Sequence, residues 1–198
     1  NYTDEYWRKL RTHYFANVAQ IDDEVGRVLD AARRKFGDDV LVIFTTDHGE
    51  MLGNHRLWGK NNCGYEDVLN VPLLVRYPGP PQPQRTDAKV MLTDILATCA
   101  TAAGLDLPDR TDGADFRETI ARGGYDYVFS EGEGFLSVSD GRTKYIHVHQ
   151  GDKQFTECFD LETDPNEYRN IADDPASAER LAGIRKVAID FLLTDFLP

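Results

Sequence analysis

Val40–Lys60 reads VLVIFTTDHGEMLGNHRLWGK, and this stretch decides the fold. Its first five residues are apolar with no polar alternation, the pattern of a central strand in a parallel sheet covered on both faces. An acid, two histidines and a lysine then fall within the sixteen residues Thr45–Lys60. In open α/β sheets ligands bind beyond the carboxyl ends of strands, and Asp47 lies just past such an end.

On the N-terminal side, Phe15, Val18, Ile21, Val25, Val28, Leu29, Ala32 and Phe36 recur at three- and four-residue steps. That spacing predicts an amphipathic helix over 15–36, with Gly37 as its C-cap. A helix feeding a buried strand is half of a βαβ unit, so the architecture is read as α/β. On the C-terminal side, VPLLVRY (Val71–Tyr77) is a second buried-strand candidate, closed by PGPPQPQRTD, whose prolines forbid regular structure. Thr93 is expected to cap a helix over Asp94–Ala103 that Gly104 stops.

Residues 105–124 read as a polar, glycine-rich connection, and a subdomain boundary near Gly123 and Gly124 divides 1–124 from 125–198. Beyond it, Tyr127–Ser130, Phe135–Ser139 and Lys144–His149 read as short strands, the last two joined across Asp140 and Gly141. A fourth strand ends near Leu161. Pro175 then opens a helix with Leu181, Ile184, Ala188, Phe191 and Leu192 at helical spacing. The second part is expected to be a small antiparallel sheet with a closing helix.

The 198 residues carry a formal charge of −12, which argues against nucleic-acid binding, since that affinity rests on Lys and Arg neutralising phosphates. Cys63, Cys99 and Cys158 are odd in number and widely spaced, so neither a disulfide framework nor a thiolate zinc site is expected. No apolar run reaches the roughly 18 residues of a membrane span, and the first residues lack the apolar core of a signal peptide. With no initiating methionine, the chain is expected to be a piece of a longer or processed protein. The compartment, cytoplasmic or periplasmic, stays open, as does a homo-oligomer.

Asp47 and His48 are neighbours, so one backbone turn can aim a carboxylate oxygen and an imidazole nitrogen at a common centre, and both are ligands for divalent metals. Two ligands cannot hold a metal alone, so the others must come from elsewhere in the fold. The plainer reading makes Asp47 a helix cap and His48 a surface residue. H-E-x-x-H zinc chemistry does not fit, because no second histidine follows His48 at the required spacing. Lys60, as a cation beside a metal-bound oxyanion, could steady charge on a substrate; taken singly it would be plain surface.

DHGEMLGNHRLWGK followed by YEDVLNVPLLVRYPG resembles the C-terminal half of the catalytic domain of the sulfatase family, within the alkaline-phosphatase-like superfamily. The order of later pieces is similar too: the helix TDILATCATAAGL, the hairpin ending GRTKYIHV, and CFDLETDPNEYRNIA. The resemblance covers nearly the whole chain. It implies the C-terminal part of an αβα sandwich followed by the small antiparallel sheet with its closing helix.

By the same resemblance Asp47 and His48 are metal ligands, Lys60 is the catalytic contact to the sulfate or phosphate group, and His55, inside the motif, shapes the pocket. The implied cofactor is a divalent cation, calcium first, with manganese or magnesium as alternatives. Many relatives have asparagine at the position of His48; the histidine form resembles choline-sulfatase-like, iduronate-sulfatase-like and phosphonate-monoester-hydrolase-like members. The family's nucleophile is formylglycine, made within Cys/Ser-x-Pro-Ser-Arg, and no such sequence occurs here. Asp22 and Asp23 do not replace the family's paired metal-binding aspartates, because they lie within a helix pattern and read as a solvated face. The implied partner is therefore an N-terminal half of the catalytic domain carrying the nucleophile, and the 198 residues alone are expected to be inactive.

His147 and His149 alternate on one strand face, where a second metal site competes with a plain sheet surface. Glu131 and Glu133 could reach a substrate or simply be solvated. DLETDPNEYRN is read as a structural turn that docks the closing helix. The leading function is a metal-dependent hydrolase of small-molecule sulfuric esters. A phosphomonoester, phosphodiester or phosphonate ester hydrolase on the same scaffold is the alternative enzyme, and a non-catalytic binding domain that retains the fold is the alternative of another class.

Overall fold

The computed structural model describes residues 2–60, 63–80 and 83–196. Helix α1 runs over Asp4–Phe36, eleven residues earlier than the apolar stripe alone predicts, because the Thr3 side chain accepts from the Tyr6 amide and caps it. Acidic Asp4 and Glu5 in its first turn and Arg33, Arg34 and Lys35 in its last both complement the helix dipole. No residue of α1 is buried, and Phe15, Val18, Ile21 and Val28 of the stripe are exposed. Its N-terminal end is held by Trp7 against Trp58, centroids 6.4 Å apart, and by Arg11, whose Nε donates to the Leu52 carbonyl at 2.7 Å.

Strands β1 (Val42–Phe44) and β2 (Leu74–Arg76) pair antiparallel, Ile43 opposite Val75. The parallel sheet covered on both faces is thus corrected for these two strands: Leu74 is 67% exposed and Phe44 40%. A parallel pair needs a crossover, usually a full helix, and only a 3-10 turn (Asn54–Arg56) and the four-residue helix α2 (Glu66–Leu69) lie between them. Residues 81 and 82 of the proline-rich loop lie outside the described residues.

Helix α3 (Asp94–Ala102) starts where expected, but Thr93 makes no side-chain cap. The fully buried Asp94 carboxylate organises that corner instead, accepting from the Met91 and Ala114 amides at 3.0 Å each and from the Tyr125 hydroxyl at 2.6 Å. The connection read as irregular contains a short helix, α4 (Phe116–Ala121). Asp115 caps it, and the Phe116 amide donates to Thr98 Oγ1 on α3, so six residues too few to show a period are fixed by one local bond and one from 18 positions away.

Strands β3 (Val128–Gly132), β4 (Phe135–Ser139), β5 (Thr143–Gln150) and β6 (Lys153–Asp160) form an antiparallel meander in chain order. The sheet divides its faces by alternation. Leu136, Val138 and Tyr145 pack against Ile184 and Ala188 of α5 (Ala178–Phe196), with Phe129 stacked on Phe191 at 4.2 Å. Ile146, Val148 and Phe159 turn to the other side and meet Tyr65 and Leu161. Pro175 opens a 3-10 turn that leads into α5, with Asp174 accepting from the Ala176 amide.

Candidate active site

Beyond β1 the chain bends at Asp47, whose carboxylate is 84% exposed. Its Oδ1 accepts from the His48 amide at 3.0 Å and from the Thr46 hydroxyl at 3.2 Å. The amide of His48 holds the carboxyl below its ordinary value, so it stays ionised. His48 Nδ1 lies 2.8 Å from the Gly49 carbonyl, an acceptor only, so the contact places a proton on Nδ1, the tautomer whose neutral ring leaves Nε2 as the metal-binding nitrogen. Nε2 lies 3.7 Å from Asp47 Oδ2, and both hydrogen bonds to the carboxylate fall on the other oxygen. No helix begins at 48, so Asp47 is not a helix cap.

The segment after His48 is tied to α2 by main-chain bonds: the Gly49 amide donates to Val68 O at 2.8 Å and the Glu50 amide to Asp67 O at 3.0 Å. A Cβ at position 49 would stand 2.0 Å from Asp67 O, so only glycine allows this approach. The Glu50 carboxylate accepts from the amides of Leu52 and Gly59, and the Met51 amide donates to Gly59 O. Glu50 therefore closes the loop that carries Lys60 back to the wall of the cavity that Asp47 and His48 also line.

His55 sits at the tip of that loop with φ 50°, its ring stacked on Tyr65 at 4.1 Å and its Nε2 3.0 Å from the Asn166 carbonyl. It is not among the residues lining the cavity described below and serves to pin the loop to the C-terminal part of the chain. Tyr65 in turn donates its hydroxyl to Glu157 at 3.0 Å, and burial pushes the phenol's pKa up.

Behind the loop lies a charge cluster that the sequence did not reveal. Lys144, 1% exposed, sets Nζ 2.6 Å from Glu66 Oε1 and 2.9 Å from Glu167 Oε1. Glu167 Oε2 accepts from the Glu66 amide at 2.6 Å. Burial raises the Glu167 pKa against the pull of Lys144. Lysine in GRTKYIHV and glutamate in DPNE lie far apart in sequence, and neither carries a local signal.

Asp47, His48 and Lys60 open on one cavity of about 760 Å³, which Lys89, Glu131 and Lys144 also line. Glu133 is not on its wall. Cys63 is, but burial raises its thiol pKa, the opposite of an activated nucleophile. Asp22 and Asp23 are exposed on α1. His147 points to the α5 side of the sheet with Gln154 at 3.0 Å, and burial and Arg185 lower its pKa. Among the described residues no group of three or more His, Cys, Asp or Glu side chains could hold a metal ion. Asp47 and His48 thus fit part of a coordination sphere, with two free donor atoms side by side.

A family model described as Sulfatase matches residues 1–105. The chain is 32% identical over 192 residues to a choline-sulfatase of Rhizobium meliloti, covering 87% of this chain and 35% of that protein. It is 27% identical to an arylsulfatase of Clostridium perfringens, covering 92% and 40%. It superposes on a phosphonate monoester hydrolase from Silicibacter pomeroyi with a TM-score of 0.85 at 26% identity, covering 97% and 42%. The chain therefore spans between about a third and two fifths of the curated relatives it matches.

Proposed function

Because this chain belongs to the sulfatase family, we propose that it is the part of a sulfuric ester hydrolase that supplies two metal ligands, Asp47 and His48, and a substrate-facing cation, Lys60. The carrying observation is that these three side chains open on one cavity. The fold is that of the alkaline-phosphatase-like relatives, in mixed helix and sheet with a C-terminal helix over an antiparallel meander. The nucleophile, expected as formylglycine, and the other metal ligands come from a part of the intact protein outside these 198 residues. The same part covers the apolar stripe of α1 and the open faces of β1 and β2.

A carboxylate oxygen beside a neutral imidazole nitrogen suits a divalent cation; calcium is the proposed metal, with manganese and magnesium as alternatives. When bound, such an ion polarises the ester oxygens and lowers the pKa of a hydroxyl nucleophile. The work of this chain is to keep the site ready. The Gly49 carbonyl fixes the His48 tautomer so that Nε2 remains a donor of electrons, and the His48 amide keeps Asp47 ionised. Lys60, placed by the Glu50 bonds to Leu52 and Gly59, offers a preorganised positive charge to the negative charge that grows on the tetrahedral group.

Hydrolysis of phosphonate or phosphate esters is the second reading, favoured by the likeness to the phosphonate monoester hydrolase and by the shared tetrahedral shape of the two anions. Assay of the intact protein with calcium or manganese against p-nitrophenyl sulfate and a phenylphosphonate monoester decides between them. Metal-dependent turnover with the higher kcat/KM on the sulfate supports the first reading; the reverse order supports the second. No turnover of either by the intact protein leaves a binding domain. Turnover by the 198 residues alone overturns the placement of the nucleophile outside them.

A further inference from the structure

Lys144 is an expensive residue to bury. Its two carboxylate partners do not form well-aligned hydrogen bonds with it, and an apolar side chain of similar volume would serve a purely structural purpose at least as well. One partner, Glu167, is held at φ 58°, a left-handed conformation that non-glycine residues adopt rarely. The arrangement makes sense through what it holds. Lys144 and Glu167 grip Glu66, the first residue of α2, Lys144 by an ion pair to its carboxylate and Glu167 by accepting from its amide. The next two carbonyls of α2, Asp67 O and Val68 O, receive the amides of Glu50 and Gly49. The Gly49 carbonyl then receives His48 Nδ1. Each link of this path is between 2.6 and 3.0 Å long.

We propose that Lys144 is a positioning residue: from strand β5 it fixes α2 through Glu66 and Glu167, and α2 in turn fixes the His48–Glu50 segment and so the direction of the His48 imidazole. The inference rests on the reading of Asp47 and His48 as metal ligands. It gives the C-terminal sheet a part in the chemistry although Lys144 itself touches neither ligand.

The test is amide hydrogen exchange by NMR on the full 198-residue chain and its Lys144→Met and Glu66→Gln variants. Exchange at Gly49 and Glu50 is expected to speed up by about tenfold or more, while internal amides of α3 and α5 stay within about twofold. A uniform rise across all elements overturns the proposal, because it marks simple loss of stability, and so does unchanged exchange at Gly49 and Glu50. If Lys144→Met does not fold, Glu66→Gln decides alone, since it removes one counter-charge and leaves Glu167 in place. Manganese titration of the intact protein, unsubstituted and with the same two substitutions, reads the premise separately, because Asp47 and His48 are only part of the coordination sphere. Paramagnetic broadening of the His48 and Asp47 signals is expected in the unsubstituted protein and weaker broadening in the variants. Broadening elsewhere but not at His48 overturns the metal reading, and the proposal with it, whatever the exchange shows.

Discussion

Replacing Gly49 by alanine is the sharpest perturbation of the site that leaves every proposed ligand in place. Its φ is not in the left-handed region, so the cost is steric rather than conformational. The new Cβ would stand 2.0 Å from Asp67 O, 3.0 Å from Asp67 C and 3.3 Å from Val68 Cα, all backbone atoms that cannot rotate away. Relief requires the segment to draw back from α2, which breaks the bonds of 2.8 Å and 3.0 Å made by the Gly49 and Glu50 amides. Each such bond is worth about 1 kcal/mol net, and forced overpacking costs roughly 1–3 kcal/mol. Against this, alanine restricts the unfolded chain and returns about 0.4–1 kcal/mol. The expected net loss is about 2–4 kcal/mol. Urea unfolding followed by tryptophan fluorescence measures it, with Gly26→Ala as a control: nothing lies within 4 Å of a Cβ there, in the interior of α1. That control should be stabilised by about 0.5–1 kcal/mol. A Gly49→Ala chain within about 0.5 kcal/mol of the parent would falsify the close-approach argument.

Lys60→Ala in the intact hydrolase should lower kcat/KM for a sulfate ester by about 10²–10³-fold; unchanged turnover removes Lys60 from the chemistry. His55→Ala loses the stack on Tyr65 and the contact to the Asn166 carbonyl, and should cost about 1–2 kcal/mol of stability with little change in KM. A large KM effect with unchanged stability would return His55 to the pocket. Asp160, bonded to Arg180 at 2.8 Å, has its carboxyl pKa lowered by that guanidinium. The pair therefore contributes above the unfolded carboxyl value near 3.9, and the contribution is lost as pH falls through the lower folded value. Being partly exposed it is worth no more than about 1 kcal/mol, so Asp160→Asn should destabilise slightly at neutral pH and not at all in strong acid. An equal effect of Asp160→Asn at both pH values would contradict this assignment.

The residues that open on the cavity were legible because their signal is local: Asp47, His48 and Lys60 lie within one short segment after an apolar run. The meander and its closing helix were legible for the same reason, since each turn and each apolar period spans a few residues. What the sequence hid is long-range. Glu66 and Glu167 are 101 positions apart, and no pattern near either says that they share Lys144. Glu50 was passed over because its role depends on a loop that returns at Gly59. The reading of VLVIF as buried on both faces went wrong for another reason: an apolar run states what a strand can bury, not what lies against it. Thr93 makes no cap because its backbone is already helical, at φ −60° and ψ −24°, whereas a capping residue is extended.

Helix α1 has a colloidal consequence for this chain in solution. At 1.5 Å per residue its 33 residues make a rod of about 50 Å, carrying exposed Phe15, Val18, Ile21, Val28 and Phe36 along one side. Such a stripe invites rods to pair lengthwise, while the net charge of −12 drives the same molecules apart. The balance is set by the range of that repulsion, about 30 Å in 0.01 M salt but only about 3 Å in 1 M. Added salt should therefore turn dispersed chains into paired ones, and light scattering against ionic strength would trace the crossover.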